Sequence, residues 1–291
     1  MENDAEPQGE GMLVESPSDN AIPLARPAAW TPAPNNAFEI HLMAESRSAA
    51  WGDILLFLFL FVSLDIGGEF LMVSVYHGWS GTAADTGAGS DLRAEKALLI
   101  PSLVWRAALA VTVIGCIVRR RGGSARSVGV TSGNLPLDFL IAIGTALAAG
   151  LVISIVILTL SFFFPAVYTQ LQNNSQRIMD RVPRISPAVI ALVTLLVGFW
   201  EELVFRGFLM PRLRRATGSW AIAVLLSTAV FAALHMIDQV PAALVLVTVL
   251  SLTLSLVTIW RRSIVPAVVA HALLDFAMFL QLYYLAGDQW K

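Results

Sequence analysis

The feature that most constrains this chain is a series of seven long apolar runs, separated by short polar or glycine-rich segments. A bilayer core is about 30 Å thick, and a helix needs about 20 apolar residues to cross it. We therefore expect an all-α fold, a polytopic membrane helix bundle with about seven transmembrane helices, with six or eight also compatible. A polar loop is expected at 170–184. The predicted spans are 52–76, 97–118, 137–164, 187–211, 219–237, 240–260 and 264–286.

The composition places the chain in the same class. Hydrophobic residues make up 56% of it and charged residues 14%, whereas soluble domains have roughly 45–50% and about 25%. The net charge of -2 gives no indication of nucleic-acid binding, so no nucleic-acid partner is expected. The single cysteine, Cys116, cannot form an intramolecular disulfide.

Three segments are predicted along the chain. Residues 1–36 are acidic and rich in Pro, Ala and Asn, which is typical of a disordered tail. This tail lacks the basic and apolar regions of a secretory signal. Residues 52–165 hold the N-terminal membrane helices, and residues 187–286 hold a second group with most of the buried charge.

The arginines of the loops predict the orientation. Cytoplasmic loops are enriched in Lys and Arg, so we expect a cytoplasmic N-terminus and an external C-terminus in a multi-pass protein of the plasma (inner) membrane. The arginines expected on the external side are Arg177, Arg181 and Arg184. Those expected in the cytoplasm are Arg119, Arg120, Arg121, Arg126, Arg212, Arg214, Arg215, Arg261 and Arg262.

Two adjacent glutamates and an arginine lie inside the fourth span. A charge at the membrane centre costs about 2.5–3.5 kcal/mol even on a lenient scale, so these groups need partners or a function. Glu202 and Arg206 are four residues apart, acid first, and this spacing predicts an ion pair within the helix. Glu201 is rotated about 100° away and lacks that partner. It therefore suits a general base that takes a proton from water, although a structural role for both glutamates is equally compatible.

Two histidines extend the pattern. His235 ends an apolar stretch, and His271 precedes Asp275 by four residues, so that carboxylate can orient the imidazole. A lone membrane histidine is more often a packing hydrogen bonder than a catalyst. Nearly all the ionisable groups of the last four spans belong to one set, namely Glu201, Glu202, Arg206, His235, His271 and Asp275.

The predicted depths of these residues conflict. His235 lies close to the outer end of its predicted span, whereas Glu201 lies near mid-bilayer. For the two to meet, we expect the helix of His235 to be displaced toward the cytoplasm, to be tilted, or to end later than residue 237.

The three motifs, in this order on successive helices, resemble those of the CPBP family of CAAX proteases and bacteriocin-processing enzymes. They are Glu-Glu-x-x-x-Arg at 201–206, Phe-x-x-x-His at 231–235 and His-x-x-x-Asp at 271–275. The resemblance covers about residues 187–286, which it identifies as a CAAX-protease-like catalytic core. It implies an intramembrane endopeptidase, surrounded by membrane lipid, that acts on a membrane-associated peptide or protein substrate.

The resemblance also implies a role for each residue. Glu201 would activate the water, Glu202 and Arg206 would hold the site together, and both histidines would polarise the nucleophile and stabilise the tetrahedral intermediate. The family more often has Asn where this chain has Asp275. An ionised Asp cannot donate a hydrogen bond to an oxyanion, so Asp275 is protonated, orients His271 or ligates a metal.

The cofactor is either none or Zn²⁺. Two histidines and a carboxylate suffice for a catalytic zinc, and the candidate ligands are Glu201, His235 and His271. Because the chain has no His-Glu-x-x-His, and the family is also described as working without metal, we favour water activated by a glutamate.

Two other classes of function remain open. A transporter would use the buried Glu and His groups to move ions, but the chain lacks visible repeats or paired half-helices. A non-catalytic scaffold or immunity protein would not need these groups. In the first two spans, Asp65 and Glu69 with Arg106 are interpreted as a structural ion pair in preference to a second site.

Overall fold

The computed structural model describes residues 46–80, 88–131, 133–183, 185–237 and 239–285. The predicted tail at 1–36 lies outside these residues. Within them the regular structure is helical throughout, which confirms the all-α prediction. The helices are α1 (Arg47–Ser80), α2 (Ala88–Arg120), α3 (Leu135–Phe163), α4 (Pro165–Arg181), α5 (Pro187–Thr217), α6 (Trp220–His235), α7 (Ala243–Arg261) and α8 (Val265–Leu285), with a 3₁₀ turn at Ala125–Val128.

Six of these helices, α1, α2, α3, α5, α7 and α8, are long and apolar enough to cross a membrane. The seventh apolar helix, α6, has 16 residues and is shorter. Large apolar side chains along α1 and α3, such as Phe59 and Leu147, are exposed on the surface of the protein. The chain is therefore a multi-pass integral membrane protein, with helices at all seven predicted places.

The prediction of a polar loop at 170–184 was wrong, because most of this segment belongs to helix α4. Proline at the first helical position lacks the N–H that would otherwise be unsatisfied there, so Pro165 favours a new helix directly after α3. The helix is amphipathic: Leu171 and Asn174 are buried and most of its other side chains are exposed or half-buried. Asn174 Oδ1 accepts a hydrogen bond from the Val240 N–H at 3.0 Å, which ties α4 to the segment after α6.

Helix α5 packs against α8, α2 and α1 and carries much of the main core. Its contact with α8 depends on Gly198. A Cβ atom there would lie 3.1 Å from the Val268 carbonyl oxygen and 3.3 Å from the Ala272 nitrogen. The absence of a side chain thus lets the two helix backbones approach, and this approach places the glutamates of α5 beside α8.

The segment around the 3₁₀ turn reaches the middle of α5. A Cβ atom on Gly207 would lie 2.6 Å from the Val128 carbonyl oxygen. Gly129, at φ 76°, then accepts a hydrogen bond from the Ile264 N–H at 3.0 Å. Helix α8 therefore begins beside the middle of α5 rather than beside its end, so that His271 comes level with the glutamates.

Candidate active site

The candidate site is centred on a change of helix type within α5. Residues Pro187–Glu202 are α-helical, Leu203–Leu209 form a π-helical stretch, and Met210–Thr217 are α-helical again. Short π segments occur inside α-helices and are frequent at functional sites. All seven residues of this one are buried. A regular α-helix was predicted here, and no signal in the sequence marks the π stretch.

Arg206 forms the ion pair that its spacing from Glu202 predicts. Arg206 Nη1 donates to Glu202 Oε1 at 2.8 Å, and both side chains are 0% exposed. Arg206 Nη2 donates to the Ser251 carbonyl oxygen on α7 at 3.1 Å. Its guanidinium carbon also lies 4.7 Å from the ring centroid of Phe231 on α6. Three helices therefore hold this one arginine in place.

His271 joins the pair from α8. Its Nδ1 lies 2.9 Å from Glu202 Oε1, the same oxygen that Arg206 contacts. Because an ionised carboxylate only accepts hydrogen bonds, this contact places a proton on Nδ1. The other ring nitrogen, Nε2, lies 3.7 Å from Glu201 Oε2 and 3.5 Å from Asp275 Oδ2. Both distances exceed the usual length of a direct hydrogen bond.

The three carboxylates differ in exposure to solvent. The Glu202 side chain is completely buried, whereas the side chain of Glu201 is 13% exposed and that of Asp275 is 22% exposed. Glu201 and Asp275 therefore lie on the more open side of the His271 ring. A small molecule that bridges His271 and these two carboxylates would have to come from that side.

His235 lies at the same depth as Glu201. It is fifteen residues after Trp220, about 22 Å along α6, and Glu201 is sixteen residues before Thr217, at most about 24 Å along α5. Of the three alternatives expected for this helix, an end beyond residue 237 was wrong, because α6 ends at His235. With 16 residues α6 is about 24 Å long, shorter than the membrane core of about 30 Å.

Phe231 contacts both histidines. His235 Nδ1 donates to the Phe231 carbonyl oxygen at 2.8 Å, and the two rings have centroids 4.5 Å apart. The centroid of the Phe231 ring lies 6.3 Å from that of the His271 ring. Since the carbonyl oxygen can only accept, His235 carries a proton on Nδ1 and its Nε2 remains available for another contact.

A small network of hydroxyl groups, not predicted from the sequence, lies behind Arg206. Thr228 and Ser251 are buried, and their hydroxyl oxygens are 2.9 Å apart. Ser255 Oγ donates to the Ser251 carbonyl oxygen at 2.8 Å, so that oxygen accepts bonds from both Ser255 and Arg206. The spacing of the two serines by four residues in an apolar helix was the available signal, but isolated hydroxyl groups are common in membrane spans.

The candidate zinc ligands do not form a metal site as placed. Across the ranges that the structure describes, no group of three or more His, Cys, Asp or Glu side chains is arranged to hold a metal ion. His271 directs Nδ1 at Glu202, and the His235 Nδ1 is bonded to its own helix. In both rings Nε2 is the nitrogen left for substrate or for a metal, because metal-bound histidines usually donate the other ring N–H to a carboxylate or a carbonyl in this way.

The carboxylates of the first span form the predicted structural contact between α1 and α2. Arg106 Nε lies 3.3 Å from Asp65 Oδ1, and Arg106 Nη2 lies 3.1 Å from Glu69 Oε1. Ser102 Oγ adds a hydrogen bond to Glu69 Oε2 at 3.2 Å. These contacts confirm that one arginine bridges both acids.

Comparison with known proteins points to one family. Residues 183–277 match the family model described as Rce1-like, type II CAAX prenyl endopeptidase Rce1-like. The match covers about a third of the chain and contains all six candidate site residues. No curated protein and no solved structure matches the chain.

Proposed function

Because residues 183–277 belong to the CPBP/CAAX protease family, we propose that this protein is an intramembrane endopeptidase that cleaves a membrane-associated peptide or protein. The observation that carries the proposal is the difference between two adjacent glutamates. Glu202 is buried and engaged by Arg206 and His271. Glu201 makes no contact of this kind with the arginine and lies 3.7 Å from His271 Nε2, on the accessible side. One carboxylate therefore holds the site together while its neighbour can do chemistry.

Glu201 is the proposed general base. A water between Glu201 and His271 would lose a proton to the Glu201 carboxylate as its oxygen attacks the carbonyl carbon of the scissile peptide. At 3.7 Å, Glu201 Oε2 and His271 Nε2 are too far apart for a direct hydrogen bond, so each is left to contact one water on their exposed side. This step needs only the glutamate and the water.

The histidines are the proposed stabilisers of the tetrahedral intermediate. Glu202 fixes the ring of His271 through Nδ1, so that Nε2 faces the reacting groups. When both ring nitrogens carry protons, Nε2 donates a hydrogen bond to the oxyanion. His235 is held through Nδ1 by the Phe231 carbonyl oxygen and offers its own Nε2.

Collapse of the intermediate completes the proposed reaction. The C–N bond breaks, Glu201 returns its proton to the leaving nitrogen, and the products are a carboxylic acid, which keeps the second proton of the water, and an amine. Asp275 lies 3.5 Å from His271 Nε2. Because an ionised carboxylate cannot donate to an oxyanion, we assign Asp275 to the orientation of His271.

The orientation in the membrane is also a proposal. Asp53 on α1 contacts both Arg121 and Arg212, which brings the arginine-rich ends of α2 and α5 together near the start of α1. Such a concentration of arginine is typical of the cytoplasmic face. We therefore propose a plasma (inner) membrane protein whose α1 begins on the cytoplasmic side.

The proposal is tested by cleavage of a pool of membrane-associated peptides by the purified protein in liposomes. Wild type is compared with Glu201→Gln, His235→Ala and His271→Ala, each with and without a chelator. The matched control is Asp65→Asn, which removes a membrane carboxylate outside the site. We expect wild type and the control to cleave, the three site variants to fold but remain inactive, and the chelator to have no effect.

Other results would redirect the interpretation. Loss of activity in chelator that zinc restores would overturn the metal-free mechanism while leaving the protease function intact. Cleavage by Glu201→Gln at the wild-type rate would overturn the assignment of Glu201 as the base. No cleavage of any peptide by wild type would favour the scaffold or transporter alternatives.

A further inference from the structure

The hydroxyl groups of Thr228 and Ser251 join helix α6 to helix α7 in the interior of the protein. The two oxygens are 2.9 Å apart, and the residues are 5% and 1% exposed. A buried hydroxyl group needs a hydrogen-bond partner inside the protein, and each of these finds the other across two helices. The pair therefore ties one point of α6 to one point of α7.

Ser251 also holds the arginine of the candidate active site. Its carbonyl oxygen accepts a hydrogen bond from Arg206 Nη2 at 3.1 Å, and Arg206 Nη1 in turn donates to Glu202 Oε1 at 2.8 Å. Arg206 and Glu202 belong to α5, whereas Thr228 belongs to α6. One residue of α7 thus contacts both helices, so α7 serves as a common reference for the depths of α5 and α6.

Thr228 lies on the face of α6 that carries the third site motif. Phe231 and His235 follow it at spacings of three and seven residues, which place all three side chains on one face of the helix. The Phe231 ring centroid lies 4.7 Å from the guanidinium carbon of Arg206. His235 lies about 10 Å further along the axis than Thr228. A shift of Thr228 along α6 or around its axis is therefore carried to His235.

The other contacts of α6 fix its depth less sharply. The rings of Phe231 and Phe205 meet edge to face with centroids 4.8 Å apart, but burial of apolar surface has no preferred direction. A second polar contact, from Ser227 Oγ to the Phe205 carbonyl oxygen, is 3.4 Å long, at the limit for a hydrogen bond. The bond between Thr228 and Ser251 is the shorter of these two polar contacts, and its geometry tolerates little displacement.

We propose that Thr228 and Ser251 are positioning residues for the peptidase reaction, because their hydrogen bond sets the depth of α6 at which His235 Nε2 reaches the oxyanion. The inference rests on the proposed function, which assigns His235 to the tetrahedral intermediate. Both hydroxyl groups act through His235. Misplacement of a catalytic group by about 1 Å can cost about 100-fold in rate. Since the intermediate is affected and the bound substrate is not, the loss falls on kcat and leaves KM unchanged.

The test uses four variants of the full-length protein. Thr228→Val keeps the shape of the side chain and removes its hydroxyl group, whereas Thr228→Ser keeps the hydroxyl group. The double variant Thr228→Val with Ser251→Ala removes both hydroxyl groups and leaves the Ser251 backbone carbonyl for Arg206. The matched control is Thr258→Val, which removes a buried hydroxyl group on α7 that donates to the Leu254 carbonyl oxygen of its own helix at 2.9 Å.

The first readout compares peptide cleavage in liposomes with stability. We expect kcat to fall about tenfold or more in Thr228→Val and in the double variant, and to stay within about twofold of wild type in Thr228→Ser and Thr258→Val. Thr228→Val leaves the Ser251 hydroxyl group buried without its partner, so the double variant should regain the stability that the single variant loses. Recovery of kcat together with stability in the double variant would show a purely structural pair and overturn the proposal.

The second readout does not depend on cleavage. The chain has four histidines, so the imidazole nitrogen resonances of protein labelled at histidine are few, and those missing from His235→Ala identify His235. We expect the His235 resonances to move in Thr228→Val and in the double variant but not in Thr258→Val. If they move although wild type cleaves no peptide, the proposed function fails and the placement of His235 by the pair stands. Unmoved resonances in Thr228→Val would overturn the proposal whether or not peptides are cleaved.

Discussion

The buried pair between Glu202 and Arg206 provides the strongest test of how this site is held together. The two side chains are 0% exposed and 2.8 Å apart, with Glu202 Oε1 also in contact with His271. We consider three variants, Glu202→Gln, Arg206→Met and the double variant. Each single change removes one charge from the interior, and the double change removes both.

The expected magnitudes follow from the burial of the pair. Removal of one partner of a buried ion pair costs about 3–5 kcal/mol, because the other charge stays buried without its counter-ion. The double variant leaves neither charge behind, and a buried pair replaced by neutral groups is often close to neutral in stability. We therefore expect the free energy of unfolding of the double variant to lie within about 2 kcal/mol of that of wild type. The coupling free energy between the two residues should be about 3 kcal/mol or more.

Unfolding in mixed micelles titrated with dodecyl sulfate, followed by tryptophan fluorescence, measures these free energies. The control is the exposed pair Arg181 and Glu95, whose nearest charged atoms are 3.5 Å apart and whose side chains are 46% and 51% exposed. Arg181→Gln should cost at most about 1 kcal/mol, since solvent screens a surface pair. Peptide cleavage should stay lost in the double variant, because His271 no longer has an ionised partner at Nδ1.

Additive losses would refute this reasoning. If the double variant is destabilised by the sum of the two single changes, Glu202 and Arg206 do not act as one electrostatic unit. If either single variant loses as little free energy of unfolding as Arg181→Gln, water reaches the pair of Glu202 and Arg206.

Three further predictions concern backbone approach and the last motif. Gly207→Ala would place a Cβ atom 2.6 Å from the Val128 carbonyl oxygen and should destabilise the protein by about 1–3 kcal/mol. The control is Gly144→Ala, which has no neighbouring atom within 4 Å and should be neutral or slightly stabilising in the same unfolding assay. Gly198→Ala pushes α8 away from the glutamates, so the loss in kcat for peptide cleavage, expressed as a free energy, should exceed the loss in the free energy of unfolding. Equal losses would contradict this. Asp275→Asn introduces the residue more common in the family and should keep the rate of cleavage within about tenfold of wild type. Complete loss of cleavage in a folded variant would overturn the orienting role.

The sequence determined those features that depend on local spacing. A run of about 20 apolar residues has few alternatives to a membrane helix, and the helices lie at the predicted places. The pairing of Glu202 with Arg206 was equally readable, because residues four apart on a helix share a face whatever surrounds them. The bridge from Arg106 to Asp65 and Glu69 was predicted because three charges in two apolar spans need one another.

The tertiary structure decided which residues meet across helices. The contact of His271 with Glu202, 69 residues apart in the chain, depends on the close approach that Gly198 permits and on the depth at which α8 begins. The π stretch, the Ser251 carbonyl behind Arg206 and the helical form of 165–181 were likewise absent from the sequence pattern. Periodicity reports the face of a helix on which a side chain lies. It does not report the depth or separation of two helices, because these are set by the packing of every helix around them.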